Sequence, residues 1–267
     1  MIRLYNQNIW GNMPATHRVA NRSELIRALI QDYQPDVCTF QECNPNTIRQ
    51  GDNALQILLS DDYAEAFSSA ANCNFTPVFY RKGKYREIDS GFLAYSGMND
   101  EQSKSVAWVV LETKTDGKRI GVASTHFWFK HQSEEDILQR LQNVEELERV
   151  CKYMTETYHV PVIVAGDLNN GKQSSQGDGP YQALLQKGFV DVRYSADETT
   201  ECHTVHHYPV MNESGEYAYG DMPYGTLDYI FVYGTKDLTA QKFQVDTSEK
   251  ALCSSDHCPM IADFRGE

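Results

Sequence analysis

No stretch of this chain approaches the roughly 20 apolar residues of a membrane span. Its first residues, Met1-Ile2-Arg3-Leu4-Tyr5, read as a strand, not as a basic segment leading into an apolar one, so neither a span nor a signal peptide is expected. Cys-x-x-Cys spacing is also missing. The seven cysteines (Cys38, Cys43, Cys73, Cys151, Cys202, Cys253 and Cys258) are odd in number and match no zinc pattern. They read as reduced, mostly buried thiols, which argues against a disulfide framework and for a cytoplasmic protein. Positive charge is scarce: 24 Lys and Arg against 37 Asp and Glu leave a formal −13, and the longest basic cluster is only Arg81-Lys82-Gly83-Lys84. A protein that grips duplex DNA by its phosphates carries a basic surplus, so this balance weighs against that class, although a local patch can coexist with an acidic total. Repeats, low-complexity tracts and Pro/Ser-rich linkers are absent as well. One continuous domain over residues 1–267 is the expectation.

Strand patterns are scattered from end to end: Ile2–Trp10, Val37–Gln41, Pro77–Tyr80, Gly91–Tyr95, Val106–Lys114, Arg119–Phe127, Val160–Ala165, Leu227–Val232 and Pro259–Phe264. Thr115-Asp116-Gly117-Lys118 separates two of them and is a hairpin signal. Three helices are expected. Asn21, with Glu24 three residues on, caps a first one carrying Leu25, Ile26, Leu29, Ile30 and Tyr33 on one face and ending at Pro35. Ser133 caps a second, with Ile137, Leu141, Val144, Leu147, Cys151 and Met154 at helical spacing, running to about residue 157. A third spans Pro180–Lys187, opened by its proline and closed by Gly188. Many strands with helices before parallel-type strands predict a layered α/β fold with mixed sheets.

Val162-Ile163-Val164-Ala165 reads as a strand buried on both faces, because nothing in it alternates. It ends in Gly166-Asp167-Leu168-Asn169, which alone is also an ordinary turn. The same arrangement recurs, however. Asn8, Gln41-Glu42, Thr125-His126, Asp228 and Ser255-Asp256-His257 all stand at the ends of apolar strands. A carboxylate there costs desolvation energy unless it is paired, hydrogen-bonded or metal-bound. Glu42, Asp167, Asp228, Asp256, Asn8 and Asn169 make an oxygen-rich set suited to Mg²⁺ or Mn²⁺. His126 and His257 are suited to moving a proton or meeting a developing negative charge, and Asp228 to orienting His257. Metal, carboxylate and histidine together fit hydrolysis of a phosphate ester.

These motifs occur, over residues 8–257, in the order found in the endonuclease/exonuclease/phosphatase superfamily, which the chain resembles. That group includes DNase I, apurinic endonucleases, neutral sphingomyelinases, deadenylases and inositol polyphosphate 5-phosphatases. The resemblance implies a DNase I-like four-layer sandwich: two packed mixed β-sheets flanked by helices, with the site at one edge. It implies that Glu42 is the main metal ligand, with Asn8 and Asp256 nearby. Asp167 would orient or deprotonate the attacking water, and Asn169 would hold water and phosphate. His257, paired with Asp228, would stabilise the pentavalent phosphorus, and His126 would bind a phosphoryl oxygen. The implied activity is that of a divalent-metal-dependent phosphoesterase. The charge balance leans toward a small-molecule ester over nucleic acid; an apurinic or exonuclease-type nuclease is the alternative, and a non-catalytic binding protein on the same fold a further one. Tyr224-Gly225-Thr226-Leu227-Asp228-Tyr229 departs from the inositol-phosphatase pattern.

Other groups carry blander readings beside functional ones. Cys202-His203 and His206-His207 fit a loop near the cleft better than a metal site, in an insertion suited to substrate selection. Phe127-Trp128-Phe129 reads as pocket wall or core rather than as a membrane-inserting hairpin. Asn74 reads equally as a site residue or a loop cap. Lys104 and Lys130-His131 read as solvated, the alternative being contact with substrate phosphate. Trp10 and Trp108 read as core.

Overall fold

Val162–Ala165 is apolar at every position because both faces of its strand are covered, one by a second sheet and one by helices. The computed structural model describes residues 1–11, 19–45, 55, 59, 61–66, 74–100, 102–130, 133–169, 179–200, 203–211, 216–219, 221–234 and 237–266. Cys73, Cys202 and His131 lie outside them.

In chain order the elements are β1 (Ile2–Asn8), α1 (Val19–Tyr33), β2 (Val37–Gln41), β3 (Tyr63–Glu65), β4 (Val78–Arg81), β5 (Tyr85–Ala94), β6 (Ser105–Thr113), β7 (Arg119–His126), α2 (Glu134–Tyr158) and β8 (Val162–Asp167). There follow α3 (Gly179–Gln186), β9 (Val190–Asp191), α4 (Val192–Ser195), β10 (Glu198–Thr199), β11 (Val210–Met211), β12 (Tyr217–Ala218), β13 (Asp228–Tyr233), β14 (Leu238–Val245), α5 (Glu249–Ser254) and β15 (Met260–Gly266). One sheet runs β10-β14-β15-β1-β2-β4-β3 and the other β5-β6-β7-β8-β13-β9, with β11-β12 as a separate ribbon. Both large sheets are mixed: β1 runs parallel to β2 and β7 to β8, while β15, β6 and β13 pair antiparallel. The connections of these two parallel pairs hold α1 and α2, and the short β10 also runs parallel to β14.

Three apolar layers hold this together. Leu4, Val37, Val78, Val109, Val122, Ile163, Ile230, Phe243 and Met260 meet between the sheets. Their sequence neighbours face the other way. Tyr5, Cys38, Phe40 and Phe79 meet Ile26, Leu29 and Ile30 of α1, and Ala123, Val162 and Val164 meet Val144, Leu147, Cys151 and Met154 of α2. Each fully buried apolar side chain in these layers contributes roughly 1.5–3 kcal/mol before the cost of ordering it.

Ser133 caps α2 through a reciprocal capping box with Asp136, as the sequence predicts. Gly117 adopts φ +71 in the turn between β6 and β7. Corrections are local. α1 begins at Val19, which places Asn21 inside the first turn, not at the cap. β5 starts at Tyr85, six residues before the expected Gly91; it is an edge strand, so its charged residues stay in water. β14 was not expected, because its inward residues alternate with Thr239, Gln241 and Lys242 instead of forming an apolar run. Among the described residues no helix is long and apolar enough to cross a membrane.

Candidate active site

Period-two geometry delivers the site. On the face of β1 that looks between the sheets, Leu4 is followed by Asn6 and Asn8; on β2, Val37 by Thr39 and Gln41. Across the gap, β7 presents Val122, Ser124 and His126, and β8 presents Ile163, Ala165 and Asp167. β13 runs the other way, so Asp228 precedes the inward-facing Ile230 and stands opposite Asp167 in the register. The inter-sheet core thus turns polar toward one end on each of these five strands. The transition is sealed by Gln41 Nε2, which donates to Asn6 Oδ1 and Ser124 Oγ, both at 3.0 Å.

Gly166 is dictated by this convergence. A Cβ there would lie 1.9 Å from the Thr125 carbonyl oxygen, so only glycine lets β7 and β8 close together directly before Asp167. Just beyond the ends of β1, β2 and β8, Trp10, Glu42 and Asn169 adopt left-handed backbone at φ 53, 54 and 51. Such conformations cost about 1–3 kcal/mol each and cluster where function constrains the chain.

Asn8 Nδ2 donates to Asp167 Oδ2 at 3.0 Å and to Glu42 Oε1 at 3.3 Å, while Asn8 Oδ1 accepts the Trp10 N–H. His126 Nε2 lies 3.5 Å from Asp167 Oδ2 and 4.0 Å from Glu42 Oε1. His257 Nδ1 meets Asp228 Oδ2 at 2.8 Å, and its Nε2 lies 3.9 Å from Asp167 Oδ2 and 4.0 Å from Asp256 Oδ1. The Asn169 N–H donates to Asp167 Oδ1, and its side chain is pinned to the Phe127 carbonyl. All eight residues singled out in the sequence therefore gather at one end of the inter-sheet space. Asp167, Asp228 and His257 carry ligand-type atoms within 4.8 Å of one another. Since His257 is already bonded to Asp228, we read that trio as an ion-paired relay beside Asp167 more than as a closed metal cage.

Burial, then the Asp228 charge, pushes Asp167 up to about 7. Burial and neighbouring Glu42 push Asp256 up to about 6. Burial pulls the His257 imidazolium down, but Asp228, Asp256 and Asp167 outweigh it and hold it well above the usual histidine range. His126 moves the opposite way, held neutral by burial and by the Lys104 and His257 charges. The two histidines thus differ in charge because of their partners.

Of two further site residues, one was read as solvated with phosphate contact as the alternative, and the other was not singled out. Lys104, expected in solvent, is buried with Nζ 2.8 Å from His126 Nε2; burial lowers its pKa, and Glu42 and Asp167 oppose that. The β6–β7 register sets the neighbouring Ser105 opposite His126. Thr204 Oγ1 donates to Asp228 Oδ2 at 2.6 Å, and no local signal marks it.

Trp10 is not core. It is half-buried, its ring 5.2 Å from Tyr208 and stacked at 19°. Trp108 is half-buried too, packed edge-on against Tyr153. Phe127 and Trp128 are buried wall residues, and Phe129 lies over Lys104 Nζ. Lys130 stays exposed, above the Trp128 and Phe129 rings. Asn74 is buried and accepts the Thr76 N–H, as a loop cap would. His203 contacts Thr226, and exposed His207 pairs with Asp221; among the described residues neither belongs to a metal-type group.

Among curated proteins none matches the chain by sequence. Solved structures do. An endonuclease/exonuclease/phosphatase from Bacteroides vulgatus superposes with a TM-score of 0.74 at 22% identity, covering 100% of this chain and 99% of that one. The Bacteroides thetaiotaomicron mannosyl-6-phosphatase gives 0.75 at 17% identity over 99% and 100%. The human Nocturnin catalytic domain with bound sulfate gives 0.70 at 20% identity over 100% and 93%. These likenesses establish the DNase I-like fold. With the Endonuclease/Exonuclease/phosphatase family profile matching residues 6–257, the chain belongs to that family.

Proposed function

We propose that the protein hydrolyses a phosphate ester with the help of a divalent cation, Mg²⁺ or Mn²⁺. Asp167 carries the argument: a buried carboxylate raised to about 7, bonded to Asn8 and the Asn169 N–H, and facing His126 and His257. The residues present fit a hard cation. Glu42, Asp256 and Asp167 offer oxygens, two of these carboxylates are raised by burial and by a neighbouring carboxylate, and buried Asp228 Oδ1 has no hydrogen-bond partner. Glu42 and Asp256, with Asn8 beside them, would hold it. When bound, the cation neutralises phosphoryl oxygen charge and acidifies water.

The chain's own residues supply the remaining chemistry. Asp167 takes the proton of the water attacking phosphorus, and Asn169 orients both. His257, held charged by Asp228, donates to a non-bridging oxygen as negative charge builds there. His126 and Lys104 line the same oxygens from the other side. The new O–P bond forms as the bond to the leaving oxygen breaks.

A small ester is favoured over duplex DNA. The longest basic cluster lies at the opposite end of the sandwich, where the Arg81 N–H meets the Asp36 carbonyl and Lys84 pairs with Asp36 and the Met1 carbonyl. Thr204, Val205 and His206 pair with the 256–258 loop beside His257. Likeness to a mannosyl-6-phosphatase points the same way.

The decisive assay is release of nitrophenol from p-nitrophenyl phosphate and bis-p-nitrophenyl phosphate with Mg²⁺, Mn²⁺ or EDTA, with Asp167→Ala in parallel. Metal-dependent release lost in the variant is expected; no release, together with no Mn²⁺ binding by calorimetry, would overturn the reading. Cation affinity is expected to fall as pH drops through about 6, because the cation must displace the proton that Asp256 carries there. Calorimetry at pH 6.5 in buffers of differing ionisation enthalpy should register the released protons. Lys104→Met is expected to raise KM for the phosphate substrate and lower kcat/KM about tenfold to a hundredfold, as loss of a charge-assisted contact does. Unchanged kinetics would remove Lys104 from the site.

A further inference from the structure

Arg22 stands in the early part of α1 with no exposed surface. Burying a guanidinium is costly unless its donors are met, so where those donors go is informative. Three of its contacts are main-chain carbonyls, and the Tyr217 side chain also lies beside the group. Nη1 donates to Ile9 O at 2.9 Å and to Ser254 O, and Nη2 donates to Trp10 O at 3.1 Å. The guanidinium also lies 5.1 Å from the centroid of the Trp10 ring.

Those carbonyls belong to two segments far apart in the chain. The first, Ile9-Trp10, directly follows Asn8 and turns through left-handed backbone at Trp10, whose N–H returns to Asn8 Oδ1. The second, Ser254-Ser255, directly precedes Asp256 and His257, and Ser255 Oγ donates to the Asn8 carbonyl at 2.7 Å. Arg22 therefore joins the turns that aim Asn8 and Asp256. A planar fork with five donors can serve carbonyls on diverging segments at once; an apolar side chain of similar volume would fill the space and leave those oxygens unmet.

We infer that Arg22 is a positioning residue, clamping the 9–10 and 254–255 turns so that Asn8 and Asp256 are set for cation binding. This rests on the metal-dependent reading above. The test is Mn²⁺ titration of metal-free protein, followed by calorimetry and by electron paramagnetic resonance of free Mn²⁺, on wild type, Arg22→Met and Arg22→Lys. Ile26→Ala, one turn along the same helix and within the α1 apolar layer, serves as the packing control.

Arg22→Met is expected to bind Mn²⁺ about 10–100-fold more weakly, the usual cost of losing a residue that orients ligands. The Mn²⁺ concentration giving half-maximal activity should rise in parallel, and saturating Mn²⁺ should recover most of kcat. Arg22→Lys, with three donors on a flexible stem, is expected to fall between the two. Ile26→Ala should lower the melting temperature and leave Mn²⁺ affinity alone. A folded Arg22→Met protein binding Mn²⁺ as tightly as wild type would overturn the inference; should Arg22→Met not fold, wild-type affinity in Arg22→Lys would do so. Wild type that binds no Mn²⁺ would overturn the metal-dependent reading and this inference with it, whereas wild-type binding unaffected by either Arg22 variant removes the inference alone.

Discussion

An Asp167→Asn protein is expected to hydrolyse its phosphate ester about 10²–10⁴-fold more slowly than wild type, the range for loss of a positioned base. The amide preserves shape but cannot take a proton. Stability should respond in the opposite direction. Asp167 is raised to about 7 in the folded protein, against about 3.9 for an unfolded aspartate. The folded state therefore binds the extra proton across that window. The stability this confers is fully present below the unfolded value and is lost as pH rises through about 7. Above that pH, metal-free wild type carries a buried, ionised carboxylate close to Asp228, which the variant lacks. In EDTA, the melting temperature of Asp167→Asn relative to wild type should thus improve from pH 5 to pH 8. Turnover within tenfold of wild type would remove Asp167 as the base.

His257→Ala is expected to lower kcat by about 10²–10³-fold, as loss of one donor to a developing oxyanion does. It should also cost about 3 kcal/mol of stability, because Asp228 loses the partner of a buried ion pair. The Thr204 hydroxyl still bonds the Asp228 carboxylate, so the protein should fold. Combining His257→Ala with Asp228→Asn separates the two roles. The double variant should regain much of the lost stability, with no charge left unpaired, while turnover stays at the level of His257→Ala. Denaturant melts and steady-state rates on the three proteins check this. A double variant no more stable than His257→Ala would mean that Asp228 is solvated by other means; recovered turnover would remove His257 from the chemistry.

Much of the architecture was readable from local pattern. The unbroken Val162–Ala165 run announced a strand covered on both faces, and helical spacing over Ile137–Met154 announced α2, because burial on a regular element imprints its period on the sequence. Where burial is one-sided the imprint weakens. β14 is covered on alternate residues only, and β5 lies at an edge with its charges in water, so one escaped notice and the other was shortened. Asn21 shows the remaining failure: a capping sequence is short, and a helix that can extend one more turn overrides it.

The composition and ordered motifs of this chain suffice to mark its fully buried elements, its family and the set of oxygen and imidazole groups available to a site. These are local properties, written residue by residue. Charge state and environment are not. Whether His257 is held as a cation and His126 neutral depends on which carboxylates and lysines surround each ring once two sheets close. Lys104 is buried because Phe129 and His126 cover it, Thr204 reaches Asp228 because its segment pairs onto the 256–258 loop, and half-buried Trp10 stacks on Tyr208. Desolvation and partner geometry arise from segments distant in the chain, so tertiary packing alone decided them.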